Sequence, residues 1–380
     1  MTSVVYADYN ATTPIDPEVF EAMRPYLTVQ FGNPSSTHGY GRAAALALER
    51  ARGEVADLIG AQPGRIVFTS GGTEANNLAL LGLGRASGRV VTTAVEHPSV
   101  AGAAARLAAG GWVHDTLPVD ETGRVDLARA RPILERPADL VSLIYAQNEV
   151  GVVQPVEDLV ALARAANPEV VVHVDAAQAA GKIPVDVARL DADLVTVVSH
   201  KLYGPKGVGA LYVRGRAVRV PLMVGGGQEG GVRPGTEPVA ALVGFGAACR
   251  RAARLLDDEA RRVRSLREQL WQRLSARIPN LERTVPEHVP CLPNTLHVLV
   301  PGCDAVDLLA AAETVAASVG SACHAHQASA SNVLLAMGLP AHKARGALRL
   351  SLGRFTTPAE VERIARDLGE AYLRVTRPDR

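Results

Sequence analysis

Six short apolar runs rich in β-branched residues recur through residues 65–69, 89–94, 140–146, 170–175, 193–199 and 207–213, and this repetition constrains the fold more than any other feature. Segments of helical periodicity, such as Val156–Ala166, lie between most of them. Strands that alternate with helices predict a mostly parallel sheet covered on both faces. Ligands of such sheets sit beyond the carboxyl ends of the strands, so residues at those ends are the first to read for chemistry.

Three strand ends carry unusual residues. The stretch DLVTVVSHKLYGPKGVG delivers Lys201 from a buried apolar run to a glycine-rich turn, a placement that favours a desolvated, nucleophilic amine able to form a Schiff base with an aldehyde cofactor. VVVHVDAAQ places Asp175 at the end of another run. The run RIVFTSGGTEANNLAL reads as a strand, a Ser-Gly-Gly-Thr turn and a helix starting near Glu74, whose small residues and N-terminus suit a phosphate. Singly, each has a plain reading: a solvated loop lysine, a helix-capping acid, a structural glycine turn. Together and in this order they point to pyridoxal 5'-phosphate, with the lysine on the aldehyde carbon, the acid on the pyridine nitrogen and the turn on the phosphate.

Length and composition set the frame. At 380 residues the chain exceeds the size at which one core keeps growing, so one large and one smaller domain are expected. A formal net charge of +1 calls for neither nucleic acid nor an anionic membrane. No run of 18 apolar residues occurs, and the beginning, MTSVVYADYN, lacks the features of a signal peptide, so a cytoplasmic protein is expected. Beyond the alternating region, 254–278 turns charged, with Val263, Leu266, Leu270 and Leu274 at helical spacing, and reads as an amphipathic linking helix. LPNTLHVLV then reads as a strand and 304–312 as a helix. The expected division is a large domain over 12–253 and a small α+β domain made of 1–11 and 254–380.

Four cysteines, Cys249, Cys291, Cys303 and Cys323, show no CxxC spacing and support neither a zinc knuckle nor a disulfide scaffold. Cys323 lies in GSAC, followed by His324 and His326, where a thiol on a loop beside imidazoles would favour thiolate. Buried structural cysteine is the other reading. A metal site at these three residues is not expected, because no fourth ligand stands at useful spacing.

The ordered motifs DYNATTPIDPEV, GNPSS, VFTSGGTEANN, EHPSV, QNEVG, HVDAAQ, SHKLYGPKG, GGGQEGGVRPGTEPV, SVGSACHA and LRLSLGRFTT cover nearly the whole chain. With them the chain resembles the NifS/IscS-like cysteine desulfurases and the related selenocysteine lyases, fold-type I pyridoxal phosphate enzymes of the aminotransferase class V group. The resemblance implies a large domain with a mostly parallel seven-stranded sheet and a smaller α+β domain carrying a catalytic cysteine loop. It implies Lys201 as the Schiff-base lysine, Asp175 as the pyridine partner, Gln178 on the phenolic oxygen and His97 stacked on the ring with a share in proton transfer. Gly72, Thr73 and His200 would hold the phosphate, joined by Thr236 from a neighbouring subunit, which makes a homodimer. Asn148 and Arg349 would bind the substrate, Arg349 by a two-pronged salt bridge to its carboxylate. Cys323 would carry the persulfide, and Cys249, Cys291 and Cys303 would be ordinary core or surface residues.

One departure stands out. The family usually has serine three positions before the lysine, where this chain has Val198, so a phosphate contact is either lost or taken over by Ser199. Valine there, with QEGGVRPGTE and LPNT, also occurs in selenocysteine lyases, whereas Pro98 after His97 departs from them. The expected activity is therefore conversion of L-cysteine to L-alanine, with sulfur passed through Cys323 to an acceptor protein such as an iron–sulfur scaffold or a thiolation enzyme. The rivals are a selenocysteine lyase acting on L-selenocysteine and a catalytically silent scaffold.

Overall fold

The computed structural model describes residues 4–319 and 331–376. Its strands are β1 (Val5–Tyr6), β2 (Ile66–Thr69), β3 (Arg89–Thr93), β4 (Val113–Leu117), β5 (Leu140–Ile144), β6 (Val171–Asp175), β7 (Leu194–Val198), β8 (Gly209–Val213), β9 (Glu282–Arg283), β10 (Thr295–Leu299), β11 (Val315–Ala316) and β12 (Ala347–Ser351). The helices are α1 (Pro17–Thr28), α2 (Gly39–Leu58), α3 (Gly72–Leu81), α4 (Pro98–Ala109), α5 (Leu127–Leu134), α6 (Val156–Ala166), α7 (Val239–Ser275), α8 (Ala305–Ala311), α9 (Asn332–Ala336), α10 (Ala341–Ala344) and α11 (Pro358–Thr376).

A seven-stranded sheet of order β2-β8-β7-β6-β5-β3-β4 organises the molecule. Only β8 runs against its neighbours; the pairs from β7 through β6, β5 and β3 to β4 are all parallel. Successive residues of one strand face opposite layers, as the pleat requires. Val90, Leu140 and Leu194 pack with α3 and α4 on one side. Val91, Val141 and Val195 pack with α2, α6 and α7 on the other. Both faces are buried, which is why these strands read as continuous apolar runs.

Two expectations of extent are corrected. Strand β4, with sequence VHDTL, was not among the predicted runs, because it is an edge strand with an exposed Val113 and polar neighbours. The amphipathic helix begins at Val239, not at Arg254, and spans 37 residues. Its first three turns, VAALVGFGAAC, are buried almost all round, so no polar stripe betrays a helix there. Leu242, Phe245 and Ala252 of α7 join the large core, while Val263, Leu266, Leu270 and Leu274 join a second cluster with β10, β12 and α11. In that second layer β12, β10 and β9 form an antiparallel sheet and β1 pairs with β11, so the first residues pack on the C-terminal part. No helix among the described residues is long and apolar enough to cross a membrane.

Buried histidines sit in both layers. His173 of β6 contacts Ser142 Oγ at 2.8 Å and Thr196 Oγ1 at 3.1 Å, and burial holds its pKa down to about 4. His297 of β10 is held to about 3 by burial, reinforced by the charge of Arg349. In the unfolded chain both rings titrate near ~6.5, so between that pH and the folded values the unfolded state binds more protons. Their contribution to stability is present above about pH 6.5 and is lost as pH falls towards the folded pKa values. Urea midpoints measured as a function of pH should therefore fall below about pH 6.5, and His173→Gln should flatten part of that slope.

Candidate active site

The carboxyl ends of β2, β5, β6 and β7 open into a cavity of about 330 Å³. Gly72, Thr73, His97, Asn148, Asp175, Gln178, His200, Lys201 and Arg349 all line it, so nine of the predicted residues, far apart in sequence, meet in one place.

The anion end is built by β2 and α3. After Thr69 the chain turns through Gly71, whose φ of 145° suits glycine, and α3 begins at Gly72, not near Glu74. No side chain caps this helix, so the N–H groups of its first turn face the cavity end with the positive pole of the helix behind them. A Cβ on Gly72 would meet Val198 Cγ2 at 2.8 Å, so the close approach requires glycine. His200 lies beside this turn with Nδ1 3.1 Å from Thr12 Oγ1, and burial, then the charges of Lys201, Lys206 and Lys182, push its pKa down to about 4.

Asp175, the last residue of β6, is almost fully buried. Its Oδ2 accepts from Asn76 Nδ2 at 2.7 Å and its Oδ1 from the Ala177 N–H at 3.0 Å. His97 caps α4, with Nδ1 accepting from the Ser99 N–H at 3.1 Å and lying 2.7 Å from Ser99 Oγ. Burial lowers its pKa; Asp175 opposes this and the charge of Lys201 adds to it.

Lys201 follows β7 in a single turn of 3₁₀ helix, and its Nζ donates to the carbonyls of Asn10 at 2.6 Å and Ala11 at 2.7 Å. Gln178 donates from Nε2 to the same Asn10 carbonyl at 2.8 Å and accepts from Lys182 Nζ at 2.5 Å. Burial drives the Lys182 pKa well below that of a free lysine, and the charges of Lys201 and Arg349 reinforce the shift. Arg349 is brought in by β12. Its guanidinium donates to Asp8 Oδ1 at 2.6 Å and to the Asn148 carbonyl at 2.9 Å, while its Nε is buried without a partner.

Two predicted residues fall elsewhere, and a third lies outside the described residues. Ser199 does not line the cavity, which corrects its expected phosphate contact. Strand alternation turns Val198 into the cavity and Ser199 away from it, where it is fully buried with its Oγ against the Gly204 backbone. Thr236 is exposed just before α7 and is not part of the cavity wall. Cys323 lies outside the described residues, as do His324 and His326. Reading the sequence also missed Asn10, Asn76, Ser99 and Lys182. Asn76 follows the Gly-Gly-Thr turn by less than one helical turn and Ser99 sits two residues past a capping histidine, spacings that were open to reading.

The aminotransferase class-V family model matches residues 5–364. Mouse cysteine desulfurase is 42% identical over 367 residues, covering 94% of this chain and 79% of that protein. A solved NifS-like protein superposes with a TM-score of 0.89 at 35% identity, covering 97% of this chain and 98% of that one. The structure titled SspA in complex with cysteine superposes at 0.81 with 33% identity, covering 93% of this chain and 99% of that one. The chain belongs to the aminotransferase class-V family and, within it, to the pyridoxal phosphate-dependent cysteine desulfurases.

The donor set fits that cofactor. An uncapped helix N-terminus suits its phosphate, a buried carboxylate suits its protonated ring nitrogen, and a primary amine stands between them. Val198 leaves the phosphate end one hydroxyl short. Val198→Ser should supply one charge-assisted hydrogen bond and tighten cofactor retention about five- to tenfold, read as the dissociation constant from absorbance titration of the apoprotein.

Proposed function

We propose that this enzyme takes sulfur from L-cysteine onto Cys323 as a persulfide, releases L-alanine and hands the sulfur to an acceptor protein. The observation that carries the reading is the convergence of Lys201, Asp175, His97 and Arg349 on one cavity at the strand ends.

When bound, pyridoxal phosphate supplies an aldehyde carbon that couples to amines and a ring that accepts an electron pair. Lys201 would hold the aldehyde carbon, and as a free amine beside the substrate it would move the α-proton. Asp175 keeps the ring nitrogen protonated, and Asn76 and the Ala177 N–H hold that carboxylate in place. Gln178 addresses the phenolic oxygen, with Lys182 fixing which end of its amide faces the carbonyl of Asn10. Gly72, Thr73 and His200 take the phosphate. Arg349, which lines the cavity, would take the substrate carboxylate.

Cys323 then supplies the thiolate. It attacks the substrate sulfur, the carbon–sulfur bond breaks, and the carbon skeleton keeps the electron pair and is protonated to alanine. The overall change is cysteine plus enzyme thiol giving alanine plus enzyme persulfide. Burial raises the thiol pKa of Cys249, of Cys291 to about 11, and of Cys303, none of which favours thiolate. In this reading the enzyme is a cytoplasmic homodimer, with exposed Thr236 completing the neighbouring phosphate site. Residues 12–253 form its large domain, and 1–11 with 254–380 its small one.

Alanine and sulfide release from L-cysteine under reductant tests the assignment. Cys323→Ala should lose at least about 100-fold in turnover while keeping the yellow colour of the bound cofactor. Turnover of cysteine that survives in Cys323→Ala would overturn the persulfide role. A wild type that turns over selenocysteine but not cysteine would show a lyase.

A further inference from the structure

The cavity wall holds a chain of hydrogen bonds that joins Asp175 to His97 through Asn76 and Ser99. Asn76 Nδ2 lies 2.7 Å from Asp175 Oδ2 and 2.9 Å from Ser99 Oγ. Ser99 Oγ lies 2.7 Å from His97 Nδ1, which also accepts from the Ser99 backbone N–H at 3.1 Å. Asn76 and Ser99 are both buried.

Donor and acceptor chemistry orients every link. A carboxylate only accepts, so the amide must present its NH2 group to Asp175. The second hydrogen of that group goes to Ser99 Oγ, which leaves the single hydroxyl proton free for His97. A backbone N–H only donates, so Nδ1 must hold a lone pair towards it. Asn76 Oδ1 is left buried without a partner, a cost that marks this amide orientation as imposed by Asp175.

We propose that Asn76 and Ser99 are positioning residues that hold His97 as a neutral ring protonated at Nε2, so that it meets the cavity as a hydrogen-bond donor and not as a proton acceptor. Protonation would have to occur at Nδ1, where it would break the bond from the Ser99 N–H and force the Ser99 hydroxyl to turn from donor to acceptor. The charged and titratable groups around the ring are Asp175 and Lys201, whose effects oppose each other, and, elsewhere on the cavity wall, Arg349 and His200. The neighbouring Glu96 turns one carboxylate oxygen to Thr93 and the Ile144 N–H. Burial of His97 acts in the same direction as the relay. In the desulfurase reading, on which the significance for catalysis rests, proton transfer at the substrate then falls to Lys201 and not to His97.

The test needs no turnover. Nitrogen NMR of holoenzyme labelled with 15N-histidine reports the tautomer of each of the ten rings, and the signal absent from His97→Asn identifies His97. In wild type the His97 proton should sit on Nε2, with a titration midpoint below that of a free imidazole. Ser99→Ala should raise that midpoint by about one unit, the equivalent of one hydrogen bond, and Ser99→Thr should restore it. Asn76→Ala should shift His97 only when Ser99 is present. A wild-type ring protonated at Nδ1, or an ordinary midpoint near ~6.5, would overturn the proposal even if all variants were misfolded. An unmoved midpoint in Ser99→Ala would also overturn it, as would an Asn76→Ala effect that is independent of Ser99. None of these outcomes depends on whether cysteine is the substrate.

Discussion

The backbone carbonyl of Asn10 is the point on which the site is assembled. It accepts from Lys201 Nζ and from Gln178 Nε2, two groups carried by different strand ends of the large sheet. The side chain of the same residue reaches the other way, donating to Thr295 Oγ1 at 2.8 Å and accepting from Asn294 Nδ2 at 2.9 Å, both at the start of β10. Its own N–H is bound by Ser351 Oγ of β12. One buried residue near the N-terminus thus ties the lysine turn to the layer that brings Arg349. Because each of its polar groups is paired away from water, movement of the segment would leave several of them unsatisfied.

The surroundings of Lys201 are shaped by positive charge. Lys182, Lys206 and Arg349 act on it or on its neighbours, and burial adds a penalty at Lys182. Burial, reinforced by these charges, lowers the pKa of His200 to about 4 and that of Lys182 well below a free lysine's; it also lowers that of His97, where Asp175 opposes and Lys201 adds. Such surroundings suit an anion: in the desulfurase reading a phosphate at the uncapped N-terminus of α3 and a carboxylate at Arg349 would offset the positive charge. Asp8, already paired with Arg349, meets part of that need within the chain itself.

Much of this was legible in the chain. Parallel strands buried on both faces show themselves as apolar runs, and the residues at their ends stand out by contrast, as Asp175 and Lys201 did. What stayed hidden had physical causes. The edge strand β4 lacks an apolar run because one side of it meets water. The first three turns of α7 lack a polar stripe because they are covered almost all round. Asn76, Asn10 and Lys182 look like ordinary polar residues until burial strips them of water and forces each to find a partner.

Ser199 marks the boundary between the two kinds of knowledge. Sequence determined that a hydroxyl stands next to a valine just before His200 and Lys201, and it determined the residue types needed for the chemistry. Only the tertiary structure decided which of the two side chains faces the cavity, because strand alternation at the end of β7 is referenced to the whole sheet and not to its neighbours in sequence. In the same way the order of strands, and with it the meeting of Gly72, His97, Asp175, Lys201 and Arg349, rests on pairings between residues far apart in the chain, which local pattern does not encode.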